Sequence, residues 1–170
     1  MQLIEYKKYK TLLIVRHAKS DWSDTNFSDF DRTLNARGMQ DAPAMAEIIA
    51  TKISKVDKII SSPAIRALTT AKFFAKAFNY DENDIEKDLG FYERDIKHIK
   101  NVLVAQKKED DIVMIFGHEP TVSSLVTYFT GENVGNLPTC SISCIDFDTD
   151  NWLDIDKING KLRFFERPQA

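Results

Sequence analysis

The sequence contains few cysteines and histidines, the residues that most often form disulfides and transition-metal sites. Its 170 residues include two cysteines and three histidines, and no segment is repeated or of low complexity. Cys140 and Cys144 stand in a C-x-x-x-C spacing that matches neither a zinc knuckle nor a thioredoxin-type motif. We therefore expect two reduced, buried thiols that behave as small apolar residues.

A large charge excess and a long apolar run are also missing. The 23 basic and 26 acidic residues leave a net charge of −3, which gives no general attraction to nucleic acid or to an anionic membrane. Apolar runs such as 112–116 are far shorter than the roughly 20 residues of a membrane-spanning helix. Residues 1–8 contain no apolar stretch typical of a signal peptide. We expect a cytoplasmic protein without nucleic-acid or membrane partners, so any attraction for phosphate must be local.

What the sequence does contain is an alternation of strand and helix signals, which is the α/β pattern. A chain of this length favours one domain, here residues 1–170. Segments 142–147 and 162–165 both resemble strands, and the Asn159-Gly160 turn signal lies between them. We predict a three-layer α/β/α sandwich with a mostly parallel central sheet and one antiparallel edge strand.

Arg16 and His17 are the most informative pair in the chain. They follow the apolar run 11–15, which reads as a strand buried on both faces of a parallel sheet. A cation and an imidazole are thereby placed at the carboxyl edge of the sheet, where open α/β sheets bind ligands.

Two other predicted strands also end in polar groups. The strand over 56–61 leads into Ser62-Pro63, which predicts a helix start with Arg66 in its first turn. The strand over 111–116 leads to His118. Because the ends of parallel strands share one edge, we expect these groups to converge with Arg16 and His17.

This set of side chains suits phosphoryl transfer. Arginines offer planar, bidentate donors to phosphate oxygens, and they stabilise charge that spreads over those oxygens in the transition state. A neutral imidazole can attack an anionic phosphoryl group without repulsion between like charges. His17 would then carry the phosphoryl group until water hydrolyses it.

Four motifs resemble those of the histidine phosphatase superfamily, also called the phosphoglycerate mutase-like family. Residues 16–18 (RHA) resemble its R-H-G signature, and residues 61–71 (SSPAIRALTTA) resemble S-S-P-x-x-R-A-x-x-T-A. Residues 31–38 (DRTLNARG) resemble a D-R-x-L-T-x-x-G segment, and residues 117–120 (GHEP) resemble the late G-H motif. The four occur in the family's order.

Within that superfamily the chain is similar to the small SixA-type phosphohistidine phosphatases, on the segment 16–22 (RHAKSDW) and on its brevity. The resemblance implies that His17 is the nucleophile, that Arg16, Arg66 and His118 hold the phosphoryl group, and that the reaction needs neither metal nor cofactor. It also implies an open site, suited to a phosphorylated histidine on another protein.

Several residues near these motifs have two interpretations. Glu93 is either the general acid that protonates the leaving group or a carboxylate at the start of a helix predicted over 93–107. Lys19 and Ser20 either bind substrate or belong to the loop, with Lys19 merely solvated. Trp22 is either a platform for substrate or a packing residue.

The loop around these residues carries aspartates whose irregular spacing fits no EF-hand, so we expect a solvated loop and no metal site. The predicted function is a phosphohistidine phosphatase that acts on a phosphorylated protein. A phosphomonoesterase for small phosphorylated molecules is the alternative, and a binding module that recognises phosphohistidine without turnover is a further one.

Overall fold

A computed structural model describes residues 8–169. Within this range one six-stranded sheet has the order β3-β2-β4-β1-β5-β6. The strands are β1 (Lys10–Arg16), β2 (Lys58–Ser61), β3 (Glu86–Lys87), β4 (Ile112–Gly117), β5 (Ile142–Phe147) and β6 (Lys161–Glu166). The helices are α1 (Ala36–Lys52), α2 (Ile65–Ala77), α3 (Leu89–Tyr92), α4 (Ile96–Val104) and α5 (Thr121–Thr130).

The sheet is covered on both faces, as its apolar central strand requires. In β1 the residues Leu13 and Val15 pack into a cluster with α1 and α2. Their neighbours Leu12 and Ile14 belong to a second cluster with α3, α4 and α5. Successive side chains of a strand point to opposite faces, so the two clusters lie on opposite sides of the sheet. The predicted three-layer α/β/α sandwich is confirmed.

Strand direction divides the sheet into two parts. β1, β2, β3 and β4 run parallel to one another, whereas β5 pairs antiparallel with β1 and with β6. The sheet is therefore mostly parallel, with the predicted antiparallel part at one edge. The register matches Arg16 with Gly117 and Ser61 with Phe116. The carboxyl ends of β1, β2 and β4 consequently lie side by side, which is the geometry on which the predicted site depends.

Two predicted helix starts were wrong. The helix expected from Glu93 begins at Ile96, where the Asp95 carboxylate accepts a hydrogen bond from the backbone N–H of His98. Glu93 instead ends the short helix α3, because Arg94 adopts a left-handed backbone with φ of 59° that interrupts the helical path. The helix expected from Ser62-Pro63 begins at Ile65.

Cys140 and Cys144 are buried, unbridged thiols, as expected. Burial raises the pKa of each to about 12, so both stay protonated at neutral pH. Within residues 8–169 no helix combines the length and the apolar character that crossing a membrane requires.

Candidate active site

A pocket of about 360 Å³ opens at the carboxyl ends of β1, β2 and β4. It brings together seven of the eight predicted site residues. Its lining consists of Arg16, His17, Lys19, Ser20, Trp22, Asp29, Arg32, Arg66, Arg94, His118, Glu119 and Thr139. Glu93 is not part of this lining, and its side chain is exposed at the end of α3.

His17 is held as a neutral imidazole with one free nitrogen. Its side chain is 7% exposed, and Nδ1 lies 2.7 Å from the carbonyl oxygen of Ala18. A carbonyl can only accept, so Nδ1 carries the proton and Nε2 keeps its lone pair. The pKa of His17 is lowered to about 3, chiefly by burial; the hydrogen bond to the Ala18 carbonyl raises it, and the charges of Arg66, Arg16 and Arg32 lower it. The lone pair of Nε2 is therefore available at neutral pH, as the predicted role of His17 requires.

One threonine connects the two main motifs. Thr70 on α2 donates its hydroxyl proton to the carbonyl oxygen of Arg66 at 2.7 Å. The same hydroxyl accepts the backbone N–H of Ala18 at 3.0 Å. The backbone that follows His17 is thereby fixed to the helix that carries Arg66. These two hydrogen bonds explain why the second motif has a threonine at this position.

The glycine of the third motif allows a close backbone approach. The N–H of Asn35 donates to the carbonyl oxygen of Lys19 at 3.0 Å, which draws the start of α1 against the loop after β1. A Cβ on Gly38 would lie 2.1 Å from that carbonyl oxygen, which no side chain could tolerate. Gly38 thus sets the position of the loop that leads from the predicted nucleophile to Lys19.

Arg16 and Arg66 are anchored by backbone carbonyls but keep donors to spare. Nη1 of Arg16 donates to Leu137 O at 2.6 Å. Nη1 and Nη2 of Arg66 donate to Asp29, to its carbonyl oxygen at 2.5 Å and to its carboxylate at 3.1 Å. The Nε of each arginine is buried and has no partner in the described part of the chain.

Arg32 is a site residue that sequence reasoning missed. Its Nη2 donates to the Asp29 carboxylate at 3.0 Å, and its guanidinium lies 3.5 Å from the ring centroid of Trp22. Nε and Nη1 of Arg32 are buried without a partner among the described residues. Tyr92 donates its hydroxyl to the same carboxylate at 3.0 Å. Arg32 stands in the recognised segment 31–38, which was the available signal.

His118 supplies a second neutral imidazole. Its ring centroid lies 5.1 Å from that of His17, and its Nε2 lies 2.8 Å from Ser62 Oγ. Ser62 Oγ accepts the N–H of Ala64 at 3.2 Å, and among the described residues its hydroxyl proton has no acceptor other than Nε2. This arrangement leaves the ring proton of His118 on Nδ1, which is buried and unpartnered among the described residues. Burial, as the main cause, and the nearby His17 together lower the pKa of His118 to about 2.

The unpartnered polar atoms are concentrated in this pocket. Of the six buried side-chain nitrogens and oxygens without a partner in residues 8–169, five belong to lining residues: Arg16 Nε, Arg32 Nε, Arg32 Nη1, Arg66 Nε and His118 Nδ1. A buried, unmade hydrogen bond costs about 1–3 kcal/mol. A cluster of them is expected where a bound ligand accepts the hydrogen bonds. Five donors and no acceptor suit an anion with several oxygens, such as a phosphoryl group.

The remaining predicted residues occupy different depths. Ser20 is buried and pairs through its backbone with Leu34 in an isolated bridge. Lys19 is exposed, and Trp22 is 75% exposed beneath the guanidinium of Arg32. Lys19 and Trp22 are thus rim residues, whereas Ser20 shapes the wall.

The two carboxylates in the pocket lining are already engaged. Asp29 accepts from Arg32, Arg66 and Tyr92. Glu119 accepts from the N–H and hydroxyl of Ser123, both at 2.9 Å, which caps the start of α5. Among residues 8–169 no three His, Cys, Asp or Glu side chains are arranged to hold a metal ion.

Comparison with known proteins decides the family. The model of the histidine phosphatase superfamily, branch 1, matches residues 12–102. The chain belongs to this superfamily. The histidine phosphatase described here therefore carries its family's motifs on the strand ends where the pocket lies, and it is a phosphatase.

The histidine phosphatase has the SixA-type fold. It superposes on the candidate phosphohistidine phosphatase SixA of Agrobacterium tumefaciens with a TM-score of 0.80 and 27% identity, covering 94% of this chain and 99% of that one. It also shares the fold of a protein histidine phosphatase SixA complexed with tungstate, with a TM-score of 0.73, 19% identity and coverage of 91% and 95%. A mycobacterial glucosyl-3-phosphoglycerate phosphatase has the same fold, with a TM-score of 0.66, 13% identity and coverage of 92% and 98%.

Proposed function

We propose that this histidine phosphatase hydrolyses phosphohistidine on a protein through a covalent intermediate on His17. The observation that carries the proposal is the neutral His17 imidazole, whose free Nε2 lies in a pocket lined by unpartnered guanidinium and imidazole donors. Arg16, Arg32, Arg66 and His118 bind the phosphoryl oxygens in this proposal.

The reaction proceeds in two displacements. Nε2 of His17 attacks phosphorus, and the bond from phosphorus to the substrate's imidazole nitrogen breaks. That nitrogen takes the electron pair and is protonated from water. A second water then attacks phosphorus and gives one proton to the hydroxide left by the first step, the bond to Nε2 breaks, and inorganic phosphate leaves with His17 again neutral. The arginines stabilise the charge on the equatorial oxygens in both steps.

The absence of a free acid among the lining carboxylates supports a phosphohistidine substrate. Asp29 and Glu119 are both occupied by hydrogen bonds from the protein. An imidazole leaves more easily than an alkoxide and needs less help from a general acid. Glu93, the acid predicted from sequence, is exposed outside the pocket lining, and the proposed reaction does not require it.

A small-molecule phosphomonoesterase is the second candidate. The pocket volume of about 360 Å³ falls within the usual range for small-molecule sites. The mycobacterial enzyme of the same fold is named for a small phosphorylated substrate. A phosphohistidine protein and a panel of phosphorylated metabolites, compared by kcat/KM, distinguish the two candidates.

The test uses the histidines as their own controls. Wild type, His17→Ala and His98→Ala are assayed with a phosphohistidine peptide and an aryl phosphate. His98 lies on α4 outside the pocket lining, so His98→Ala should retain activity, while His17→Ala should lose at least about 10³-fold in kcat. An acid-labile phosphoryl label should be trapped on wild type and missing from His17→Ala. Near-normal turnover by His17→Ala would rule out the nucleophile, and binding of the phosphohistidine peptide by wild type with neither label nor turnover would favour the binding module.

A further inference from the structure

Arg94 is a lining residue of the pocket that no family motif contains. It follows Glu93, the residue that ends α3; its side chain is exposed, and its backbone φ is 59°. Residues other than glycine, asparagine and aspartate seldom adopt this left-handed conformation. The chain therefore keeps an arginine at a position where glycine would fit more easily, and that arginine faces the pocket that contains His118.

Only neutral groups of the described chain hold the Arg94 side chain. Its Nε donates to the carbonyl oxygen of Glu119 at 3.0 Å, and its Nη1 lies 3.5 Å from the carbonyl oxygen of Tyr92. Arg32 and Arg66, by contrast, share the carboxylate of Asp29. No carboxylate within residues 8–169 forms an ion pair with Arg94, so its charge is not compensated there.

The pocket carries more positive charge than a phosphoryl group can neutralise. Five of its lining residues are cationic and two are anionic, which leaves an excess of three positive charges. A phosphoryl group brings at most two negative charges. The excess is local, since the whole chain has a net charge of −3.

Buried and exposed cations have different tasks in this arrangement. Arg16 and Arg66 present unpartnered Nε atoms in the interior, beside His17 and His118. Arg94 is exposed, and its Nε is hydrogen-bonded to Glu119 O in the strand-end segment that carries His118. A substrate whose phosphoryl group binds the inner donors would bring its neighbouring atoms to Arg94.

We propose that Arg94 forms a second anion subsite, which binds a carboxylate next to the phosphorylated group and selects substrates that carry one. The inference rests on the phosphatase activity and the phosphoryl position of the proposed function. On a phosphorylated protein the carboxylate is an acidic side chain that flanks the phosphohistidine. Guanidinium binds carboxylate through two parallel hydrogen bonds, and Nη2 of Arg94 has no acceptor among the contacts above.

The test compares substrates that differ only in that charge. One pair is 3-carboxyphenyl phosphate and 3-carbamoylphenyl phosphate. The other pair is a phosphohistidine peptide with glutamate or with glutamine beside the phosphorylated residue. Wild type, Arg94→Gln, Arg94→Lys and Lys97→Gln are assayed with all four. Lys97 is an exposed cation on α4 outside the pocket lining, so its variant controls for general charge.

Arg94→Gln should lower kcat/KM about three- to tenfold for the carboxylate member of a pair, through KM, and should change the amide member less than twofold. Arg94→Lys should recover part of the loss, and Lys97→Gln should resemble wild type. An effect confined to the peptide pair assigns the subsite to a flanking side chain, and an effect in both pairs assigns it to any neighbouring carboxylate.

Equal losses for both members of each pair, or no loss in either pair, would overturn the subsite. The aryl phosphates report on it even if phosphohistidine peptides are not preferred substrates. Failure of the His17 assignment would be visible separately, as retained turnover by His17→Ala.

Discussion

The two ends of strand β1 place a cation in very different surroundings. Lys10, at the start, is 1% exposed and donates to three oxygens: Lys108 O at 2.6 Å, Asp111 Oδ1 at 2.8 Å and Asp110 O at 3.2 Å. Arg16, at the end, makes one hydrogen bond to Leu137 O, and its buried Nε has no partner in the described chain. The described part of the folded chain supplies acceptors for the Lys10 ammonium group, whereas it holds Arg16 in place and leaves its Nε without an acceptor.

This contrast separates stability from function on a single strand. A fully paired buried cation stabilises the folded state, since removing it leaves its acceptors without a donor. A cation with unmade hydrogen bonds costs stability and keeps its donors for a ligand. The same difference applies to the pocket as a whole, where most of the unpartnered buried atoms of residues 8–169 are found.

Among the substitutions that test this comparison, the one at Arg16 should give the largest effect. Arg16→Gln keeps a donor for Leu137 O but removes the guanidinium from the pocket. We expect kcat to fall about 10²–10³-fold, as for loss of one transition-state donor, while the free energy of unfolding stays the same or rises. Steady-state kinetics and urea titration measure the two quantities. A loss of stability with normal kcat would show that Arg16 is structural.

Replacing Lys10 should have the opposite outcome. Lys10→Met keeps the buried aliphatic stem and leaves three oxygens without their donor. The free energy of unfolding should fall by about 1–3 kcal/mol, and kcat/KM at 25 °C should stay within twofold of wild type. Unchanged stability in urea titration would contradict the comparison, and so would a selective loss of kcat.

Thr70 should show both effects in smaller measure, because it serves the fold and the site together. Thr70→Val leaves the N–H of Ala18 without its acceptor. We expect a loss of about 1–2 kcal/mol in the free energy of unfolding and a fall in kcat/KM of about tenfold as the backbone after His17 shifts. Thr70→Ser, which keeps the hydroxyl, is the matched control. Normal kcat/KM in Thr70→Val would mean that this bond does not position His17.

The pH dependence of stability should also distinguish pocket from surface. The pKa of His17 is about 3 in the folded protein, against 6.5 when unperturbed, so below pH 6.5 the unfolded state binds a proton that the folded state does not. Stability is therefore lost as the pH falls from 6.5 towards 3. His17→Gln should reduce this slope by about 1.4 kcal/mol per pH unit, measured by urea titration between pH 6 and 4.

The titration of His98 should change the free energy of unfolding with pH in the opposite direction, and by a smaller amount. Its hydrogen bond to Asp88 raises its pKa, so its contribution is complete below pH 6.5 and is lost as the pH rises through the folded pKa. His98→Gln should therefore remove stability at pH 5 and little at pH 9. If His98→Gln changed the free energy of unfolding equally at pH 5 and at pH 9, the pairing of His98 with Asp88 would be contradicted.

The sequence predicted the site's centre better than its surroundings. Apolar runs followed by polar residues identified Arg16, His17, Arg66 and His118, because the ends of parallel strands must meet at one edge. Arg32 and Arg94 were missed, since they stand in loops whose path no periodicity predicts. Glu93 was predicted as the start of a helix, but the left-handed backbone of Arg94 ends one helix there before the next begins.

The sequence by itself determined the sandwich, the family and the four groups at its strand ends, because hydrophobic patterning and motif order are local properties. Only the tertiary structure decided which donors remain free, which carboxylates are occupied and which cation faces the pocket from a loop. Those properties depend on distances between atoms from distant segments. Asp29 and Glu119 could become structural carboxylates, and Arg94 an uncompensated cation, only once the loops had packed around the sheet.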